Sequence, residues 1–189
     1  MARVTEKSAI IDGLLKLIAL GGITATALLA PNAVQIFDKP LKKYFAKLDE
    51  RERQRELQRA IAYMKHYRLI TENYEHGLAI SSKAKDRLIK SNIREIAIKT
   101  PKKWDRKWRI IFFDIPEPRK SSRDAFAAKI RSLGFKVMQR SVFVHPFSCR
   151  EQVKTIAEYY GVARYVTYIV TDHLDNEKAL IKRFKHLIK

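Results

Sequence analysis

Cysteine is almost missing from this sequence. Cys149 stands alone, so no disulfide can form within the chain, and a reducing, cytoplasmic setting is expected. Histidine is thin as well: His66, His76, His145, His173 and His186 are scattered, without the spacing of zinc ligands. Acid is the third shortage. Twenty Asp and Glu face 39 Lys and Arg, for a net charge of +19. A chain that is 46% hydrophobic is too apolar to be a disordered basic tail, so the positive charge must lie on the outside of a folded body. Such a body repels itself unless a polyanion relieves it. Nucleic acid is the first candidate and an anionic membrane surface the second. Residues 1–90 hold 17 basic and 10 acidic residues, residues 91–189 hold 22 and 10, so both halves could meet phosphate.

Charge is absent altogether from Leu17 to Phe37, a length that could span a membrane. Gly21, Gly22, Pro31, Asn32 and Gln35 interrupt the run, and Asp12 and Lys16 sit one turn apart just before it. No signal-peptide pattern is clear. The stretch reads instead as two buried helices. The first covers about Ser8 to Leu20, capped by Ser8 and stopped by the Gly21-Gly22 pair. The second begins near Thr24 or at Pro31, where proline suits a first turn. An adaptor tethered to a membrane through residues 9–37 is the alternative.

What is abundant is arginine. Asp49-Glu50-Arg51-Glu52 opens a helix with an N-cap residue and acids in the first turn. Leu57, Ala60, Ile61 and Met64 recur at helical spacing and form its buried stripe. Arg51, Arg55 and Arg59 fall four apart on the other face, with Gln54 and Gln58 beside them. Arginine and glutamine are the types that fork onto guanine and adenine edges or grip phosphates. Arg68 to Tyr74 alternates like a strand, Glu75-His76-Gly77 is a turn, Leu78-Ala79-Ile80 returns, and Ser81-Ser82 caps a helix through Ile89. Helix, hairpin and helix in that order make a winged helix over residues 1–90, resembling many bacterial regulators. Arg51, Gln54, Arg55, Gln58 and Arg59 are the expected groove-facing residues. Lys83, Lys85 and wing residues near His76 are the expected phosphate contacts.

Residues 91–103 read as a linker: isolated isoleucines, then Thr100-Pro101-Lys102-Lys103. Trp104 and Trp108 follow, a pair of the kind that packs. From there the rhythm is strand, helix, two strands, helix, strand and a terminal helix. The strands are Trp108–Phe113, a bent strand or hairpin over Phe135–Phe147, and Tyr165–Thr171; the helices are Arg119–Leu133, Cys149–Tyr160 and Glu177–Ile188. This βαββαβ order predicts a ferredoxin-like domain over residues 104–189. The chain as a whole is thus expected to be α+β: a winged helix-turn-helix followed by a ferredoxin-like domain.

Spaced motifs in this second half carry a family resemblance. Trp104-Asp105-x-x-Trp108, Phe113-Asp114-Ile115-Pro116-Glu117, Arg119, Arg123, Leu133-Gly134-Phe135, Gln139-x-Ser141-Val142-Phe143 and Pro146 resemble the central domain of PaaX-like (phenylacetate-degradation) repressors over about residues 100–175. The same core resembles the CRISPR adaptation endonuclease subunit, in which an aspartate ends the first strand. The resemblance implies a homodimeric regulator that binds double-stranded DNA and pairs through its ferredoxin-like domain, with no effector assigned. It also singles out Asp114, which in the CRISPR subunit faces its counterpart to hold a divalent cation such as Mg2+. Asp114 is therefore the one candidate catalytic and metal-binding residue, and a metal-dependent endonuclease is the rival function. Val144 stands where that subunit often has an acid. The structural alternative has Asp114 capping the next turn and pairing with Arg123 or Arg140. Ser141, His145 and Cys149 show no arrangement for nucleophilic catalysis and read as a turn, a strand and a core residue.

Overall fold

The computed structural model describes residues 2–21, 23–30, 33–73 and 77–188. The chain divides into two compact units, Met1–Asn92 and Ile93–Lys189. Their architecture is α+β: a helical region with a β-hairpin, winged-helix-like, and then helices on a four-stranded antiparallel sheet.

The first unit opens with α1 (Ala2–Ala19). This helix begins well before Ser8, so Ser8 is not its cap. The Ser8 hydroxyl instead accepts a hydrogen bond from Arg87 at 3.1 Å. Asp12, expected at the surface, is half-buried: it takes Arg87 Nε at 2.5 Å and the Ser91 hydroxyl at 2.9 Å. A charged residue that enters an apolar interior must be paired, and this pairing is what lets α1 carry an acid in its middle. α2 (Ala25–Leu29) is a single turn capped by Thr24, whose hydroxyl accepts from Ala27 N–H at 3.1 Å. The alternative start at Pro31 lies outside the described residues, as does Gly22. A short 3-10 turn (Ala33–Ile36) and α3 (Lys39–Phe45), capped by Asp38, follow. α3 is shorter than two full turns, and no periodic stripe betrayed it.

The uncharged run supplies the core of this unit. Ile18, Leu28 and Phe37 pack with Leu14, Leu15, Phe45, Leu57, Met64 and Leu78. No helix among the described residues is long and apolar enough to cross a membrane.

α4 (Glu50–His66) is held by a reciprocal capping box: Asp49 accepts from Glu52 N–H at 2.8 Å and Glu52 accepts from Asp49 N–H at 3.2 Å. It ends at Arg68, whose φ of 53° is left-handed, while Leu69 N–H reaches back to the Met64 carbonyl at 2.8 Å. That closure belongs to glycine. β1 (Ile70–Asn73) and β2 (Gly77–Ile80) form the hairpin, paired from Ile70↔Ile80 to Asn73↔Gly77. Leu78 N–H also donates to the Ile23 carbonyl at 2.8 Å, which fastens the α1–α2 connection to the hairpin. Gly77 is required there, because its φ is +77° and a Cβ would stand 2.8 Å from the Ile23 oxygen. α5 (Ser82–Glu95) starts on Ser81, whose hydroxyl accepts from Ala84 N–H at 3.2 Å. It runs past Ile89, so the first residues of the expected linker are helical.

In the second unit β3 (Trp108–Phe113), β4 (Lys136–Gln139), β5 (Val142–His145) and β6 (Val166–Thr171) form one sheet in the order β4-β5-β3-β6, antiparallel throughout. Phe135–Phe147 is thus a hairpin turning at Arg140-Ser141. α6 (Lys120–Ser132) and α7 (Arg150–Tyr159) cover one face. Phe126 and Ile130 of α6 and Val153 and Ile156 of α7 pack there on Ile111, Phe113 and Phe143. α8 (Glu177–Phe184), shorter than expected, packs on the other face: Leu180 and Phe184 meet Trp108 and Val144.

Candidate nucleic-acid interface

Burial divides α4 into two faces. Leu57, Ala60, Ile61 and Met64 point into the core, which rotates Arg51, Gln54, Arg55, Gln58 and Arg59 to the outside, where all five are exposed. Their backbone is rigid because the capping box fixes the first turn and the core stripe fixes the rest. Arg59 pairs with Glu56 at 2.9 Å, yet 71% of its side chain is exposed. An ion pair this open contributes little and can be exchanged for a phosphate. Lys65 at the far end pairs with Glu72 of the hairpin at 2.5 Å.

Lys83 and Lys85 lie in the first turns of α5, both exposed. The Lys83 ammonium donates to the Tyr67 carbonyl at 3.2 Å and lies 5.8 Å from the centre of the Tyr67 ring. It is therefore anchored at the end of α4, while Lys85 extends freely. Residues 74–76, with the wing contacts expected near His76, lie outside the described residues.

Asp114, the candidate metal ligand, is exposed at the end of β3. The pairing expected with Arg123 or Arg140 is not made. Arg123 turns to Glu117 at 3.0 Å and Asp124 at 3.5 Å, and the next 3-10 turn has no side-chain cap. Arg123 was lost to Glu117 because that carboxylate lies on the turn leading into α6, closer to the helix that carries the arginine. The two acids nearest Asp114 in sequence are thereby engaged with Arg123. Among the described residues no three His, Cys, Asp or Glu side chains come together, so a single chain does not offer a ligand set for a divalent cation.

The motif residues around β3 act structurally. Asp105 binds Arg109 through both carboxylate oxygens at 2.7 and 2.5 Å. The guanidinium beside it holds its carboxyl below the usual carboxylate range. Arg109 also donates to the Lys107 and Pro146 carbonyls, each at 2.7 Å. Trp104 Nε1–H donates to the Pro146 carbonyl at 2.9 Å and Trp108 Nε1–H to Glu177 at 3.1 Å. Arg109 is buried and was missed in the sequence as more than a strand residue; the available signal was a cation inside an apolar run.

Cys149 is fully buried, and burial pushes its thiol up to about 11, so it stays protonated and unreactive. His145 is buried with its Nδ1 accepting from Phe147 N–H at 3.1 Å. Burial, helped by the nearby Arg109 charge and opposed by the Phe147 backbone, lowers it to about 4. A histidine neutral in the folded state but protonated in the unfolded one destabilises the fold as pH falls from the ordinary value of 6.5 towards 4. The expected loss is about 3 kcal/mol across that window. Denaturant titrations at both ends, in the native protein and in His145→Gln, check this: the variant should lose distinctly less.

A four-stranded antiparallel sheet with two helices on one face, joined as βαββαβ, defines a ferredoxin-like domain. Residues 101–181 match the family model of the PaaX protein central Cas2-like domain. The second unit therefore carries a PaaX central Cas2-like domain. No curated protein matches the chain.

Proposed function

We propose that this chain is a transcriptional regulator of the repressor type that binds duplex DNA as a homodimer. The observation that carries this reading is the outer face of α4, where Arg51, Gln54, Arg55, Gln58 and Arg59 stand exposed on a capped, rigid helix followed by a hairpin. In winged helices the helix before the hairpin is the one that enters the major groove. The PaaX-type second unit and the net charge of +19 support the same reading.

Pairing of two copies is supported by apolar surface on the α8 side of the sheet. Phe112 and Ile169 are 40% and 43% exposed there, next to Ile110, which faces the same way. Two copies joined through these faces would hold two α4 helices at fixed spacing, which calls for a palindromic site.

Gel-shift or anisotropy titrations against salt, with sedimentation to give the mass of the complex, test the proposal. With about six to ten phosphate contacts, affinity should fall by about a thousandfold or more between about 50 and 200 mM salt. A flat salt response, or binding by monomers, would count heavily against it. Asp114→Ala should leave affinity unchanged. Magnesium-dependent nicking of the duplex, lost in that variant, would favour an endonuclease instead.

A further inference from the structure

The second unit has a hollow of about 450 Å³ at the start of α7, lined by Arg109, Ser148, Arg150, Gln152, Tyr168 and Val170, with Glu151 at its rim. Its features do not follow from packing. α7 has ten residues and no side-chain cap, because the residue at its N-cap, Cys149, turns its thiol inward to 3.7 Å from the Tyr168 hydroxyl. Val153 N–H makes the first helical bond, to the Cys149 carbonyl at 3.0 Å. The amides of Arg150, Glu151 and Gln152 are thus left at a positive helix end.

The second feature is independent of the helix. Arg109 has only 7% of its side chain exposed, and its two terminal nitrogens are saturated by Asp105, Lys107 and Pro146. Its Nε–H is buried without an acceptor. A buried charged group with an unmet donor is costly, and such gaps mark places where a ligand or water completes the site. The third feature is Arg150, whose guanidinium lies 4.4 Å from the centre of the Tyr168 ring. Stacking of this kind holds an arginine in place while leaving its edge free to fork onto an oxyanion.

We infer that this hollow is a binding site for a phosphate group. The helix-end amides and Arg150 supply the attraction, and the Ser148 hydroxyl and Gln152 amide supply further donors. Arg109 Nε–H supplies a directional donor at the floor, since Asp105 already neutralises the Arg109 charge. Glu151 opposes the site and sets its affinity low. The phosphate comes either from a small phosphorylated molecule or from the DNA backbone.

Nitrogen-detected NMR of the full chain, titrated with inorganic phosphate against chloride at matched ionic strength, tests the inference. Phosphate should move the backbone amides of Glu151 and Gln152 together with the Arg109 Nε–H signal. Arg150→Ala should weaken the response by about tenfold or more, the loss of one charge-assisted contact, and Glu151→Gln should strengthen it. No movement of these signals, or equal movement in Arg150→Ala, overturns the site, and it does so whether or not the chain binds DNA. The same Arg150→Ala variant separates the two sources. Reduced duplex affinity assigns the phosphate to DNA, and unchanged duplex affinity with a lost phosphate response assigns it to a small molecule.

Discussion

Replacing Arg51, Arg55 and Arg59 together by alanine is expected to lower duplex affinity by more than about a hundredfold, each guanidinium contributing about 1–3 kcal/mol when it forks onto a base or phosphate. The fold should survive the change. All three side chains are exposed, and the one ion pair among them, Arg59 with Glu56, is largely in solvent. Alanine is also the best helix former, so α4 should melt no earlier than before. Circular dichroism would confirm the helix, and anisotropy with a bound duplex would read the affinity. The slope of affinity against salt should also shrink, because fewer counterions are displaced. Gln54→Ala and Gln58→Ala should behave differently, changing the preference among sequences more than the salt slope, because an amide reads bases and carries no charge. If the triple variant binds as tightly as the native chain, α4 is not the contact and the regulator reading loses its main support.

The second large effect concerns the second unit alone. Trp108 is fully buried and holds α8 onto the sheet. Its ring lies 5.8 Å from that of Phe184 and 4.8 Å from that of Trp104, and its Nε1–H donates to Glu177 at the start of α8. Trp108→Ala should cost about 3–5 kcal/mol, much of the margin available to a domain of this size. Both tryptophans of the chain, Trp104 and Trp108, lie in this unit. Intrinsic fluorescence therefore reports its unfolding without interference from the winged-helix-like unit. In the variant the remaining Trp104 signal should shift to the exposed form at a lower denaturant concentration. Trp108→Phe, which keeps the ring contact and loses the hydrogen bond, should fall between. A variant as stable as the native protein would show that α8 is not held by this contact.

The long elements were legible in the sequence because each carries its own periodic signal. α4 announced itself through the acids after Asp49 and the spacing of Leu57, Ala60, Ile61 and Met64, and β3 and β6 through apolar and β-branched runs. The short ones were not. α2 and α3 have too few residues to display a period, and their position depends on Phe37, Leu41 and Phe45 finding the core of the first unit. Ser8 resembles a cap from its type, yet the helix runs through it because its hydroxyl has a partner, Arg87, that lies 79 residues away. Arg68 was equally illegible: nothing in an arginine signals a left-handed turn, and the backbone takes it because Leu69 must bury behind α4.

Asp114 and Arg109 reverse what motif reading suggested. Asp114 drew attention as a candidate ligand, and within the chain no other carboxylate joins it. Arg109 drew none and proved to be the most connected polar side chain of its unit. The difference arises because a motif records which residue types occur, while contacts depend on partners supplied by distant segments.

By itself, the sequence determined the excess of positive charge, the absence of disulfide chemistry, the α+β class and the residues on the outer face of α4, since charge, thiol count and periodicity are properties of the chain read locally. Only the tertiary structure decided that Asp12 is paired, that Arg123 serves Glu117 and Asp124, and that an unmet Arg109 donor lies beside the open end of α7. Each of these depends on which residues are brought together by packing, and packing is settled by burial summed over the whole unit.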